Sequence, residues 1–131
     1  MKVIGIGGYA RAGKDAFVSI AKNILSKNGQ NPHRFAFADN LKQEVGHMLK
    51  EKNFNLDVYT SDANEKTKVR PLLVWWGCAR RDESTAGLYW VEQMEKQLIA
   101  DLDFVKMTKQ PICPVVTDVR FANEAAYLKS K

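Results

Sequence analysis

The residues with the clearest chemical signature lie close to the N-terminus, in the run Gly8, Tyr9, Ala10, Arg11, Ala12, Gly13 and Lys14. This run fits the pattern G-x-x-x-x-G-K, in which glycines let the backbone bend so that successive N–H groups point at phosphate oxygens. The lysine then reaches the β- and γ-phosphates as a mobile charge. The alternative is a glycine-rich turn that merely joins a strand to a helix. The buried-strand pattern before the run and the amphipathic helix after it favour a phosphate-binding loop.

The position after the lysine departs from the usual pattern. A Ser or Thr normally stands there and its hydroxyl binds Mg²⁺, whereas this chain has Asp15 followed by Ala16. The Asp15 carboxylate can hold the metal directly or through water. It can equally be the acidic residue that stabilises the first turn of a helix. The sequence leaves both roles open.

The overall composition is that of an ordinary soluble globular chain, with 45% apolar and 27% charged residues among 131. No apolar run approaches the roughly 20 residues that span a bilayer, and the N-terminus lacks the apolar length of a signal peptide. We therefore expect a cytoplasmic protein with no membrane partner. Cys78 and Cys113 are expected to be small buried thiols rather than a disulfide.

The charge balance suits an acidic partner, because 20 Lys and Arg residues stand against 15 Asp and Glu residues. The basic residues are spread along the chain and are not interleaved with aromatic residues. This distribution favours phosphate-rich small molecules over nucleic acid.

Strand and helix patterns alternate along the chain, which predicts a parallel sheet with helices on both faces. The expected strands cover residues 3–6, 34–38 and 114–117, and the expected helices begin near Lys14, Asp39, Val69, Leu88 and Asn123. Asp39 is a candidate helix cap, Pro71 falls in the first turn of the third helix, and residues 53–68 are expected to form an exposed connection.

Apolar residues recur at helical spacing in three of these helices. The stripes are Phe17, Ile20, Ala21, Ile24 and Leu25, then Leu41, Val45, Met48 and Leu49, then Val91, Met94, Leu98 and Leu102. The predicted class is α/β, namely a three-layer P-loop NTPase fold whose small parallel sheet has about three strands flanked by helices. In a sheet this small the first strand lies at an open edge, which invites pairing with another chain.

Several stretches of the sequence resemble bacteriophage deoxynucleoside monophosphate kinases, which, like phosphomevalonate kinases, carry G-K-D in place of G-K-[ST]. The stretches are the loop through Asp15 and the segments 37–42, 70–77, 80–81, 89–91 and 116–124, the last being similar to the signature D-V-R-F-x-N-E. They follow the family's order and touch most of the chain. The resemblance implies a single domain over residues 1–131 in which residues 53–110 form a helical monophosphate-binding region.

The resemblance also implies an activity: the γ-phosphoryl group of ATP is transferred to a deoxynucleoside monophosphate, with Mg²⁺ as cofactor, in the host cytoplasm if the chain is phage-encoded. It implies catalytic roles for Lys14, Arg11, Asp15 and Asp118, Mg²⁺ binding by Asp15 and Asp118, and ATP binding by the loop from Gly8 to Ala16. It implies acceptor binding by Asp39, Lys42, Arg70, Arg80, Trp90 and Arg120. These roles make physical sense, because phosphoryl transfer relies on cations that position and stabilise charge.

Several of these residues have a second interpretation. Arg70 and Arg81 can simply be solvated, and Asp39 can be only a helix cap. Trp75, Trp76 and Trp90 are more often core aromatics than platforms for a base.

Chains of this family continue past the D-V-R-F helix with more sheet and the region that encloses the adenine. We therefore expect this chain to be a shortened form, a fragment or one part of an oligomer. Three other functions remain open: a nucleotide-binding or regulatory protein derived from such a kinase, a kinase for another phosphorylated acceptor, and a nucleic-acid binder.

Overall fold

A computed structural model describes residues 2–8 and 12–131, so the predictions for Tyr9, Ala10 and Arg11 lie outside the described residues. The elements follow in the order β1 (Ile4–Gly7), α1 (Lys14–Lys27), β2 (Asn31–Phe35), α2 (Phe37–Glu51), α3 (Ala63–Glu83), a 3₁₀ turn (Thr85–Gly87), α4 (Tyr89–Thr108), β3 (Ile112–Val119) and α5 (Ala122–Lys129). The predicted α/β class with a three-stranded parallel sheet is confirmed. In this described part of the chain, none of the helices has the apolar length that crossing a bilayer demands.

The sheet has the strand order β1-β3-β2, which puts β1 at an edge of the described sheet as expected. Gly5 pairs with Val116 but Gly7 pairs with Val119, so β3 has one residue more than β1 between these pairs. Such a bulge changes the direction in which nearby side chains point. Between these pairs, Thr117 and Asp118 on β3 lie opposite the single residue Ile6 on β1.

By its internal contacts the chain divides into two compact units, which we call the sheet unit (Met1–Phe37 with Val91–Lys131) and the helical unit (Ala38–Trp90). In the sheet unit, Ile6, Val18 and Val115 form a buried cluster. The core of the helical unit is a second cluster, Val45, Leu49, Val58 and Val69, against which Leu41 and Met48 pack. The stripe predicted for α2 is therefore confirmed, and each unit buries its own apolar side chains.

The predicted start of α3 at Val69 is wrong. The helix begins at Ala63, because the Asp62 side chain accepts a hydrogen bond from Asn64 N–H and caps it there. Glu65, in the first turn, binds the preceding segment to this helix start. Its carboxylate accepts a hydrogen bond from Asp57 N–H at 2.8 Å and another from the Thr60 hydroxyl at 3.0 Å. Pro71 consequently lies inside α3 rather than in its first turn.

Some apolar residues expected in the core are exposed. Phe17, Ile20 and Ile24 on α1 are each more than half exposed, and Val18 is the buried residue of that helix. Trp75 is 63% exposed on α3. Cys78 on the same helix is also exposed, which corrects the prediction of two buried thiols, whereas Cys113 is buried as expected and both thiols are free.

Candidate active site

The predicted phosphate-binding loop runs from the end of β1 to the start of α1. Lys14 is the first residue of α1, and its Nζ donates a hydrogen bond to the carbonyl of Gly8 at 3.0 Å. The lysine side chain therefore reaches back from the helix start to the residue that follows β1. This contact is exposed, so a phosphate oxygen can replace the carbonyl as the partner of the ammonium group.

The start of α1 lacks a side-chain cap. Gly13 stands at the N-cap with φ 84°, a left-handed conformation that glycine adopts without steric cost. It has no side chain to accept a hydrogen bond from the first turn. Because the first N–H groups of a helix have no intrahelical partner, they are donors available to an anion.

Asp15 and Ala16 follow Lys14 in the first turn of α1, and both are exposed. A carboxylate here is a hard oxygen ligand of the kind Mg²⁺ prefers. The described residues contain no cluster of three or more acidic, His or Cys side chains suited to a metal. Mg²⁺ at nucleotide sites commonly uses one or two carboxylates together with phosphate oxygens and water, so Asp15 fits that kind of site.

Asp118 anchors the start of α2. Its Oδ1 accepts a hydrogen bond from the N–H of Phe37, the first residue of that helix, at 2.7 Å. This contact corrects the prediction that Asp39 caps the helix, because α2 begins two residues earlier and Asp39 lies within its first turn. The acceptor comes from β3, which is distant in sequence, rather than from the neighbouring residues.

Replacing Asp118 by alanine is expected to lower the free energy of unfolding by about 1–3 kcal/mol, because the N–H of Phe37 loses a charged acceptor. Asp118→Asn retains an oxygen at the same place, and we expect it to cost about 1 kcal/mol or less. Urea denaturation of both variants measures the difference. Equal losses would contradict a role for Asp118 as the acceptor of this N–H.

Glu124 has a similar role at the start of α5. Its Oε2 accepts from the backbone N–H of Arg120 at 2.8 Å and of Phe121 at 3.1 Å, and the residue is buried. Arg120, predicted to bind the acceptor, is exposed. In the D-V-R-F-x-N-E stretch, Asp118 and Glu124 thus accept hydrogen bonds from backbone N–H groups at the starts of α2 and α5. Arg120 of the same stretch is exposed to solvent.

In the helical unit, Arg80 is one of the residues predicted to bind the acceptor nucleotide, and its side chain contacts a carboxylate and two aromatic rings. Its Nε donates to Oε1 of Glu44 at 2.7 Å. Its Cζ lies 5.3 Å from the ring centroid of Trp76 and 5.0 Å from that of Tyr89, which is within the range of cation–π contacts. We call these four residues, Glu44, Trp76, Arg80 and Tyr89, the Glu44 cluster.

Local structure explains how the Glu44 cluster forms. Trp76 and Arg80 are four residues apart on α3 and therefore share one face of that helix. Glu44 precedes Val45, which is fully buried and fixes this part of α2. Tyr89 is held at the start of α4, where its N–H donates to the Ser84 hydroxyl at 3.1 Å.

The Glu44 carboxylate affects the titration of both partners. Its hydrogen bond raises the pKa of Arg80, which is charged in any case. Burial, and after it the hydrogen bond to Glu44, raises the pKa of Tyr89. The phenol thus remains a donor, and its OH donates to Oε2 of Glu44 at 2.8 Å.

The other residues predicted to bind the acceptor nucleotide are not part of this cluster. Arg70 is exposed and lies beside Val74 and Trp75 on a different face of α3, which matches the interpretation that it is solvated. Trp90 is only 4% exposed and donates its indole N–H to the Gly77 carbonyl at 3.0 Å, so it is a core residue of the helical unit. Lys42 on α2 is half-buried.

Two residues of structural importance, one in each unit, were missed at the level of sequence. Glu44 carries no motif, and only its position one residue from the buried stripe of α2 could have drawn attention to it. Gly7 precedes the G-x-x-x-x-G-K run, and a Cβ atom there would lie 2.7 Å from the Val119 carbonyl oxygen. That closeness depends on the pairing of β1 with β3 and leaves no mark in the sequence pattern.

Comparisons of the chain with models of known protein families, with curated proteins and with solved structures gave no match.

Proposed function

We propose that this chain has a P-loop NTPase fold and transfers the γ-phosphoryl group of ATP to a deoxynucleoside monophosphate, giving ADP and the diphosphate. The observation that carries the proposal is the contact of Lys14 Nζ with the Gly8 carbonyl, at a helix start whose cap residue has no side chain. A loop with this sequence, between a strand and a helix, offers both a mobile cation and free N–H donors to a polyphosphate.

In the proposed reaction, the N–H groups at the start of α1 and the Lys14 ammonium bind the phosphates of ATP. An oxygen of the acceptor phosphate attacks the γ-phosphorus; the new P–O bond forms as the bond to the β–γ bridging oxygen breaks, and ADP leaves. Arg80 binds the acceptor phosphate through its planar guanidinium. Asp15 would hold Mg²⁺, which would neutralise negative charge on the phosphate oxygens.

The proposal is tested by ADP release from ATP and Mg²⁺ with each of the four common deoxynucleoside monophosphates, and with their ribonucleotide counterparts in parallel. Release that depends on one acceptor supports the kinase and identifies the base. Release that is equal with and without any acceptor contradicts the proposed transfer.

A nucleotide-binding protein without turnover is the second candidate, favoured by Ala16, which offers no hydroxyl beside the phosphate loop. ATP binding measured by calorimetry, together with no ADP release for any acceptor, supports this candidate. Phosphate binding through Lys14 is common to both proposals, so only turnover distinguishes them.

Ala16→Thr is expected to raise turnover by about tenfold, because a hydroxyl at this position can contact Mg²⁺ or a phosphate oxygen. Ala16 is exposed, so the larger side chain enters without a clash in the core. Ala16→Val is the matched control, since it has the same branched shape and no hydroxyl. Equal turnover of the Thr variant and the wild type would contradict a role for this position.

A further inference from the structure

The carboxylate of Glu44 is the common acceptor for three donors from two other helices. Oε1 accepts from the Trp76 indole N–H at 3.0 Å and from Arg80 Nε at 2.7 Å, and Oε2 accepts from the Tyr89 phenol at 2.8 Å. Nothing in the sequence motifs or in the proposed chemistry accounts for this residue. The arrangement fixes one arginine in a defined orientation.

Three contacts restrict the Arg80 guanidinium. The Glu44 bond holds it from the Nε side, and the rings of Trp76 and Tyr89 lie 5.3 and 5.0 Å from its central carbon. Among residues 2–8 and 12–131, the terminal Nη atoms of Arg80 donate to no protein acceptor. The Arg80 side chain is 38% exposed, so these N–H groups are accessible to a ligand from solvent.

We propose that Glu44 is a positioning residue for acceptor binding, holding Arg80 by Nε so that its Nη groups bind the phosphate of a nucleoside monophosphate. The inference rests on the proposed function and assigns it a residue that does not touch the substrate. A guanidinium bound in this way presents parallel N–H groups to a phosphate and loses little conformational freedom when the phosphate binds. Glu44 also neutralises part of the Arg80 charge, so its contribution is orientation rather than attraction.

The test compares Glu44→Gln with Glu51→Gln, a control on the same helix that removes the same charge from an exposed carboxylate whose partner is His47 at 3.3 Å. Equilibrium binding of each deoxynucleoside monophosphate is measured by calorimetry without ATP, followed by steady-state kinetics. For Glu44→Gln we expect acceptor affinity to fall and acceptor KM to rise by about tenfold, because a neutral amide oxygen accepts from Arg80 Nε more weakly than a carboxylate does. The KM for ATP and kcat should change by less than about threefold, and Glu51→Gln should match the wild type.

A double variant of Glu44 and Arg80 distinguishes a positioning role of Glu44 from a purely structural one. Arg80→Lys retains the charge but lacks the Nε–H that binds Glu44. In that background, Glu44→Gln should have little further effect on acceptor affinity. If the two effects multiply, Glu44 does not act through Arg80 and the inference is overturned. Unchanged acceptor affinity in Glu44→Gln overturns it as well.

A variant with a smaller change covers the case in which Glu44→Gln does not fold. Tyr89→Phe removes a single donor to Glu44 and retains the ring over Arg80, and we expect it to weaken acceptor binding by several-fold. Unchanged binding in this folded variant would overturn the inference.

The outcomes also separate this inference from the proposed kinase activity. Monophosphate binding that depends on Glu44 and Arg80, without ADP release, leaves the inference standing and contradicts the kinase. ADP release that is the same in Glu44→Gln and in the wild type supports the kinase and overturns the inference. A wild-type chain that binds no monophosphate also overturns the inference.

Discussion

Lys14→Ala is expected to reduce acceptor-dependent ADP release by at least about 10²-fold, the size of effect produced by removing one preorganised charge-stabilising donor from an active site. The reason is that the ammonium group is a cation at the predicted phosphate loop, where its present partner is the exposed Gly8 carbonyl. ATP affinity, measured by calorimetry, should fall in parallel, since the same charge binds the ground-state phosphates.

Lys27→Ala is the matched control for this experiment. Lys27 lies in the last turn of α1 and is exposed, so its removal changes the same helix by the same charge at the end away from the loop. We expect its ADP release to equal that of the wild type and both variants to unfold within about 0.5 kcal/mol of it. Undiminished ADP release by Lys14→Ala would contradict the proposed role of the loop.

Gly7→Ala is expected to lower the free energy of unfolding by about 1–3 kcal/mol, the usual cost of overpacking, and to weaken ATP binding with it. A Cβ at this position would lie 2.7 Å from the Val119 carbonyl oxygen, which is backbone and cannot rotate away. The edge strand must therefore move away from β3 just before Gly8, whose carbonyl is the partner of Lys14. Chemical denaturation and calorimetry with ATP measure the two effects.

Gly5→Ala provides the comparison in the same strand. Its added Cβ would meet Leu128 Cδ1 at 2.9 Å, and this atom is the end of a side chain that can adopt another rotamer. We expect a loss of about 1 kcal/mol or less and ATP affinity like that of the wild type. If Gly5→Ala destabilised the protein as much as Gly7→Ala, the contact with the Val119 carbonyl would not explain the requirement for glycine.

Elements whose signal is local were predictable from the sequence. The α2 stripe is buried at Val45 and Leu49 as its spacing indicated, and α1 begins at Lys14 directly after the glycine loop. The three parallel strands also followed from the alternation of patterns, although β2 covers Asn31–Phe35 rather than the predicted residues 34–38. In each case the information lies within a few residues, because side-chain periodicity and turn residues act locally.

Features that depend on distant partners were not predictable. The start of α2 is set by Asp118 on β3 rather than by Asp39, because a carboxylate from another strand satisfies the N–H of Phe37. Asp118 lies at the bulge in β3, and the position of that bulge depends on the register between β1 and β3. Exposure of Trp75 and of Cys78 reflects which face of α3 the rest of the helical unit covers, and apolar character alone does not specify that face.

The same distinction applies to the candidate functional residues of the two units. The sequence by itself predicted the phosphate loop, since glycines and a lysine at fixed spacing between a strand and a helix carry their chemistry in the local backbone. Only the tertiary structure decided which of the predicted arginines is held in place. Arg80 is fixed and Arg70 is not, because Glu44, Trp76 and Tyr89 come from different parts of the chain and meet only when the helices of the helical unit pack.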